Sequence, residues 1–274
     1  MKYVTLERGD SRVRADLSRP IDISIPLDFA GPQPSHFGAP AATANAMRSG
    51  DFVGDVRLGG SCNCEEYRLT AHCNGTHTEG VGHVTRERVS IHLLANGGPE
   101  IALLLSVDPV PAGETNETAE PTPKRGDQLV TARAIAAAWE RWRAPTPAAL
   151  VLRTLPNDFT KRSRVYGAAE PPPYLSRAAV ELIVAQGIEH LLLDLPSLDR
   201  SHDEGLMSGH RLFWGLPPGS HSVAQARRPR ATVTEMVFVP DDVADGFYLL
   251  DLQLAPFVAD ATPSRPLLFP VVAS

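Results

Sequence analysis

Residues 70–85 read TAHCNGTHTEGVGHVT and carry three histidines, a cysteine and a glutamate between His72 and His83. If the chain is extended here, alternate side chains point the same way. Cys73, Gly75, His77 and Glu79 then share one face. A helix would align Cys73 with His77 but turn Glu79 away, and Asn-Gly-Thr is a poor helix interior. A strand therefore presents thiolate, imidazole and carboxylate together, the donor types that hold zinc and similar divalent ions. Gly75 removes bulk and leaves space for an ion. His83, past Gly-Val-Gly, can turn back toward the same point. Two glycines and an Asn-Gly pair also fit a His-rich surface turn, and residue type and spacing alone leave both readings open.

Other reactive side chains have plainer readings. Cys62 and Cys64 form a Cys-x-Cys pair near Cys73. It is read as two small apolar thiols on a buried strand, with metal binding or a redox pair as the sharper alternatives. His72 points to the opposite face of the strand from Cys73, where packing is the default. It can stand in as a ligand only if the strand bulges. His202 and His221 sit in polar loops and are expected to be solvated. ARRPR (residues 226–230), the one dense basic cluster, reads as a solvated loop.

The elements that must position these groups are mostly strands. Candidates are IDISIPL, EYRLTAHC, EIALLLSVDPV, AALVLRTL, HLLLDLPSL, TEMVFVP, GFYLLDLQLAPF and LLFPVV. Several are nearly continuous apolar runs, as expected of strands covered on both faces. TARAIAAAWERWR (residues 131–143), with Thr131 as N-cap, and SRAAVELIVAQG (residues 176–187), capped by Ser176, read as helices. The class is mixed α/β. The Pro-, Thr- and Glu-rich stretch over residues 108–128 is expected to be an exposed connector inserted in one domain spanning 1–274.

The 274 residues suffice for a sizeable core, and 43% hydrophobic with 21% charged residues excludes wholesale disorder. A net charge of −6 gives no basic footprint for nucleic acid. The charged start lacks the apolar core of a signal peptide, and no run is long enough to span a bilayer. Three clustered cysteines do not make a disulfide framework. A cytoplasmic setting is expected, in which the Asn-x-Thr triplets at Asn74 and Asn116 carry no glycan.

The stretch from Cys73 to His83 resembles the signature of the cyclase family, which includes bacterial kynurenine formamidases and isatin hydrolases: His-x-Gly-Thr-His-x-Asp-x-Pro-x-His. Gly75, Thr76, His77 and His83 match. Cys73 replaces the first His, Glu79 the Asp and Val81 the Pro. IDISIPL is similar to the family's opening Asp-Ile-Ser strand, LVLRTL to its Leu-Ile-Arg-Thr strand, and LLLDLPSLD to its Asp-x-x-Ser-x-Asp segment. TEMVFVPDDVADGFYLLDLQLAPF resembles its Glu-containing strand and hairpin. The likeness runs from about Ile21 onward.

The resemblance implies a swivelling β/β/α fold with a barrel-like sheet and flanking helices, and a homodimer. It implies that Cys73, His77 and Glu79 bind metal, with His210 and Glu235 completing a second site, and that His83 acts as general acid or base. Ser197 and Asp199 would shape the pocket or orient a ligand His. Trp214 and Phe213 would line an apolar substrate pocket or belong to the core. One or two ions are expected, Zn2+ first and Mn2+ second, because a thiolate favours the softer ion. The implied activity is metal-dependent hydrolysis of an amide or cyclic amide in a small molecule, similar to aryl-formamide hydrolysis. A lyase, a cyclase or a small-molecule binding protein is the alternative.

Overall fold

The computed structural model describes residues 2–9, 11–94, 98–167 and 171–272. A hairpin of β1 (Tyr3–Arg8) and β2 (Ser11–Asp16) leads the chain. The elements that follow are β3 (His77–Glu79), β4 (Glu100–Val107), α1 (Ala132–Trp139), β5 (Ala149–Thr154), α2 (Arg177–Ala185), β6 (His190–Leu193), α3 (Ser208–Trp214), β7 (Thr232–Glu235), β8 (Gly246–Leu254) and β9 (Ala261–Val272). The sheet runs β9-β8-β4-β5-β6-β7-β3 and closes from β3 back onto β9, a seven-stranded barrel. Strands β4, β5, β6 and β7 are parallel. The other pairs are antiparallel. The fold is thus mixed α/β, with three α-helices among the described residues beside a mixed barrel.

The strand period of two sorts the apolar runs into two cores. Leu103, Leu105, Leu150, Leu152, Leu191 and Leu193 point outward, against Ile135 of α1 and Val180 and Ile183 of α2. Ala102, Leu104, Ala149, Val151 and Leu192 point into the barrel, where Tyr248, Leu250 and Leu268 meet them. Strands buried on both faces are why these runs show no polar alternation.

Both expected helices form with their expected caps. Thr131 Oγ1 accepts from Ala134 N at 3.1 Å and Ser176 Oγ from Ala179 N at 3.0 Å. The first helix stops at Trp139, and Trp142 instead packs edge-on against Phe247 at 5.9 Å. The stretch over residues 108–128 mixes exposed and half-buried positions, with Asp127 buried, and it is anchored. Glu117 accepts from Ala132 N (2.8 Å) and Arg133 N (3.1 Å) and is also bonded by Ser176 Oγ, so one carboxylate serves the starts of two helices.

Several expectations are corrected. Only the first three residues of EYRLTAHC (66–73) lie in a strand, Glu65–Arg68, which pairs with Thr43–Ala46. IDISIPL joins the ladder only at Ile21–Asp22. TEMVFVP leaves the ladder after Glu235, because Met236 adopts φ 53°. Cys62 is exposed and Cys64 half-buried, with its Sγ 3.7 Å from Met47 Sδ, so the pair lies in a loop and not on a buried strand. Arg228 in ARRPR is not simply solvated: its Nη1 donates to Phe213 O at 2.8 Å and its guanidinium lies 4.6 Å from the Phe213 ring centre. The short helix α3 had no expected counterpart.

The carboxyl ends of β5 and β6 are tied by a buried ion pair. Asp194 accepts from Thr154 N (2.8 Å), Thr154 Oγ1 (3.0 Å) and Lys161 Nζ (2.7 Å), and Lys161 also donates to Thr154 O (2.7 Å). Both residues are nearly inaccessible. Replacing Lys161 by Met strands the Asp194 charge and is expected to lower unfolding free energy by about 3–5 kcal/mol. Urea unfolding followed by circular dichroism checks this, and a loss near zero would remove the pair from the list of supports.

Candidate metal centre

The motif begins in a turn. Cys73 N and Asn74 N both donate to Thr70 O (2.9 and 3.0 Å), and Asn74 Oδ1 accepts from Thr70 N at 2.8 Å. Gly75 at φ 85° then redirects the chain into β3. Its conformation is the reason for glycine, because a Cβ there would meet only Leu27 Cδ1 at 3.9 Å and Ile25 O at 4.0 Å. The expectation that Gly75 clears room for an ion is corrected accordingly. Thr76 pins the turn: its Oγ1 accepts from Ile25 N (2.8 Å) and donates to Met236 O (2.5 Å).

From His77 the chain is a true strand, so His77 and Glu79 share a face while Thr78 bonds Thr234 on the other (Oγ1 to Oγ1, 2.8 Å). The single face expected from Cys73 to Glu79 is therefore real only from His77 onward. Register with β7 sets Glu235 opposite His77, and their Oε2 and Nε2 lie 3.5 Å apart. Helix α3 delivers His210, whose Nε2 lies 2.8 Å from Glu79 Oε1 and 3.5 Å from Glu235 Oε1. His77, Glu79, His210 and Glu235 are all buried. They meet where β7 ends, the carboxyl end of the parallel strands, where open α/β sheets also place their ligands.

Neighbouring groups fix each side chain. His77 Nδ1 donates to Gly75 O at 3.0 Å and His210 Nδ1 to Asp199 Oδ2 at 2.7 Å. Each bond fixes its ring through Nδ1 and turns Nε2 toward the carboxylates. Asp199 also accepts from Gly209 N (2.6 Å) and His210 N (3.1 Å), which caps α3. Ser197 Oγ accepts from Asp199 N (3.1 Å), and Glu235 Oε1 accepts from Leu198 N (3.1 Å). The 195–199 loop therefore holds both a ligand-type carboxylate and the partner of a ligand-type imidazole.

These residues fit a divalent cation. His77 Nε2, His210 Nε2 and both Glu79 oxygens are buried and form no hydrogen bond, although they lie close together. The short contacts among them lack hydrogen-bond alignment, as expected of donors aimed at a common point. Burial opposes charge on Glu79, but His83 and His210 outweigh it and hold that carboxyl well below its usual range. Burial likewise opposes charge on His210, and Glu79 with Asp199 raises it well above the usual imidazole range. Two buried carboxylates require nearby positive charge, which imidazole protons or a metal ion can supply.

A rim of half-buried groups lies outside this cluster. His83 Nε2 is 3.8 Å from Glu79 Oε2, and its Nδ1 is 3.7 Å from Asp260 Oδ2. His72 stacks on His83 with ring centres 4.1 Å apart. His72 Nδ1 is 2.8 Å from Glu79 Oε2 and its Nε2 donates to Asp260 Oδ2 at 2.9 Å. His72 thus faces the site and not away from it, because it belongs to a turn and not to a strand. Three sets of ligand atoms lie within 4.8 Å of one another: His72, His77 and Glu79; His72, His83 and Asp260; Glu79, His83 and His210. Cys73, Cys62, Cys64 and also Glu235 enter no such set among the described residues, although Glu235 lies 3.5 Å from both His77 and His210. Cys73 is buried in the turn, and its thiol is pushed up by burial and then by the Glu235 charge.

Trp214 and Phe213 are both fully buried. Trp214 donates its Nε1 to Ala231 O at 2.9 Å and packs 5.4 Å from the His210 ring, so it supports that ring from behind and does not line an open pocket. His36, Asp260 and Met236 were absent from the sequence reading. His36 is buried with neither ring nitrogen bonded, and burial lowers it to about 4 despite Glu235. Its only sequence signal is a His beside Phe37, which is too common to single out.

A closed mixed barrel with carboxylates and imidazoles gathered at one end defines a candidate metalloprotein. The chain belongs to the cyclase family: the family model described as "Putative cyclase" matches residues 15–200. Among curated proteins no sequence matches it. Solved structures with the same fold include one described as a "predicted metal-dependent hydrolase" from Bacillus stearothermophilus. That likeness has 15% identity and a TM-score of 0.56, over 92% of this chain and 98% of that one. Isatin hydrolase A from Labrenzia aggregata, bound to benzyl benzoate, has 16% identity and a TM-score of 0.58, over 92% and 93% of the two chains. An isatin hydrolase bound to the product analogue thioisatinate gives the same identity and score, over 92% of each chain. No helix among the described residues is long and apolar enough to cross a membrane.

Asp199 is the test of the inner cluster that least disturbs it. Asp199→Asn is expected to weaken Zn2+ or Mn2+ binding about 10–100-fold, the usual cost of losing the partner of a ligand imidazole. Isothermal titration with each ion checks this, and wild-type affinity would deny Asp199 that role.

Proposed function

We propose that this chain is a metal-dependent hydrolase that cleaves an amide or cyclic amide bond of a small molecule, in the manner of aryl-formamide hydrolysis. The observation that carries the reading is the buried, unbonded Glu79 carboxylate with the unbonded His77 and His210 nitrogens each within ligand range of it and the partly exposed His83 3.8 Å away. Fold likeness to isatin hydrolases supports the substrate class. Zn2+ is the proposed ion, and Mn2+ suits the same nitrogen and oxygen donors. As the family resemblance implies, the protein is proposed to act as a homodimer.

His77, Glu79, His210 and Glu235 would hold the ion. When bound, a divalent ion polarises a substrate carbonyl and lowers the pKa of water. The remaining chemistry falls to His83. Its side chain retains 26% exposure, so a substrate can reach it, while the inner ligands are closed off. Water supplies hydroxide to the carbonyl carbon, the C–N bond breaks, and His83 passes the proton from that water to the leaving nitrogen. Asp260, 3.7 Å from His83 Nδ1, stabilises the imidazolium between those two transfers.

Two measurements test the reading. Exhaustive chelation is expected to abolish hydrolysis of aryl formamides or of a cyclic amide, with recovery on adding Zn2+ or Mn2+. His83→Ala is expected to lower kcat by about 10²–10⁴-fold with metal content intact. Chelator-resistant turnover would overturn the metal's role. A metal-loaded protein that binds these compounds without turning them over would make the chain a binding protein.

A further inference from the structure

The family motif opens with a His at the position Cys73 occupies, yet the neighbouring side chain is the one that reaches the site. The cause is the turn over residues 70–74. Cys73 N and Asn74 N share the Thr70 carbonyl, so the backbone coils here and successive side chains point in different directions. Cys73 is further fixed by its own carbonyl, which accepts from His36 N at 3.2 Å. His72 projects over Glu79, while the Cys73 sulfur joins no cluster of ligand atoms among the described residues.

His72 also has the surroundings of a metal-binding imidazole. His210 donates Nδ1–H to Asp199 and turns Nε2 to Glu79 Oε1. His72 does the same with its nitrogens exchanged: Nε2–H goes to Asp260 and Nδ1 faces Glu79 Oε2. Each oxygen of Glu79 therefore has one of these two imidazoles at 2.8 Å, and each of the two is held by its own carboxylate. A carboxylate behind an imidazole is the arrangement that orients metal-binding His. Asp260 immediately precedes β9, whose first residue Ala261 pairs with Glu79, so its position relative to Glu79 is set by the barrel.

We propose that His72, oriented by Asp260, takes the ligand place that the motif assigns to residue 73, and that the Cys73 thiol is not a ligand. The metal motif of this chain is thereby shifted by one residue. The assignment rests on the metal-site reading above, but not on which bond is hydrolysed.

Ion count and affinity for Zn2+ and Co2+, together with the spectrum of the cobalt form, decide the matter in the full-length protein. Cys73→Ser is expected to keep the wild-type ion count and affinity, and the cobalt protein to show no sulfur-to-metal charge-transfer band. His72→Ala is expected to lose an ion or bind it at least tenfold more weakly, and Asp260→Asn to weaken it about 10–100-fold. His72→Phe keeps a ring to stack on His83 but has no nitrogen, so the same loss in that variant, with an unchanged melting profile, separates ligation from packing. A charge-transfer band that Cys73→Ser abolishes overturns the proposal, as does wild-type affinity in both His72 variants. Either result leaves a chelator-sensitive hydrolase standing. Conversely, the expected losses in a metal-loaded protein that hydrolyses no amide would uphold the ligand assignment and overturn the proposed reaction.

Discussion

Two carboxylates are buried together at one end of the barrel, and most of the surrounding structure answers that constraint. Glu79 and Glu235 lie on adjacent strands, both nearly inaccessible; burial and then the Glu79 charge oppose ionisation of Glu235, and His210 and His77 outweigh them and hold its carboxyl below the usual range. Isolated charges in such a place cost far more than any one packing contact returns. Imidazoles from β3, from α3 and from the turn before β3 come within 3.5 Å of this pair. Asp199 and Asp260 stand behind two of them. The sign of charge therefore alternates outward from the centre, so that no carboxylate is left facing only another carboxylate.

The barrel makes the constraint geometrically possible. Strand β3 has only three residues, and it pairs on both edges, with β7 and with β9. It is the closing piece, and it carries two of the four inner ligand-type groups. A site on the closing strand is fixed by ladders on either side, which sets its side chains more firmly than a loop could. The flanking irregularities lie where the chain must leave that ladder. Gly75 and Met236 both adopt positive φ, one just before β3 and the other just after Glu235, and Thr76 Oγ1 bonds to Met236 O. For Met236, a buried non-glycine residue, this conformation is uncommon and is held by bonds from its N to Leu195 O and from Val237 N to Leu193 O.

Legibility in the sequence followed how local the cause was. Apolar runs and the helix caps at Thr131 and Ser176 are local, and they marked β4, β5, β6, α1 and α2. His77 and Glu79 were legible as one face because a strand of any length gives that pairing. The strand does not extend back to Cys73. The bonds that coil residues 70–74 run within five residues, but the Gly75 conformation that ends the turn gave no sign distinguishing it from a glycine making room. Asp260 lies far along the chain from His72, so only the closure of β9 onto β3 brings them together. Helix α3 is too short to show a period, and its cap is the distant Asp199 and not a side chain at its own start.

Two departures from the family motif are joined by one distance. Glu79 stands where the motif has Asp, and the extra methylene extends the carboxylate outward from β3. Its Oε1 still meets His210, so the added reach does not forfeit the inner contact. Its Oε2 arrives 2.8 Å from His72, on the rim side. An imidazole at residue 72 projects from a coiled turn, one position earlier than the motif's first His, and a longer carboxylate is what meets it there. Cys73 is then released from any need to reach the centre and packs as a buried thiol, a role for which cysteine is well suited. The substitutions at 73 and 79, taken singly, look like losses from a metal site. Taken with His72 and Asp260, they form one consistent rearrangement in which the inner imidazoles stay fixed and the rim is rebuilt.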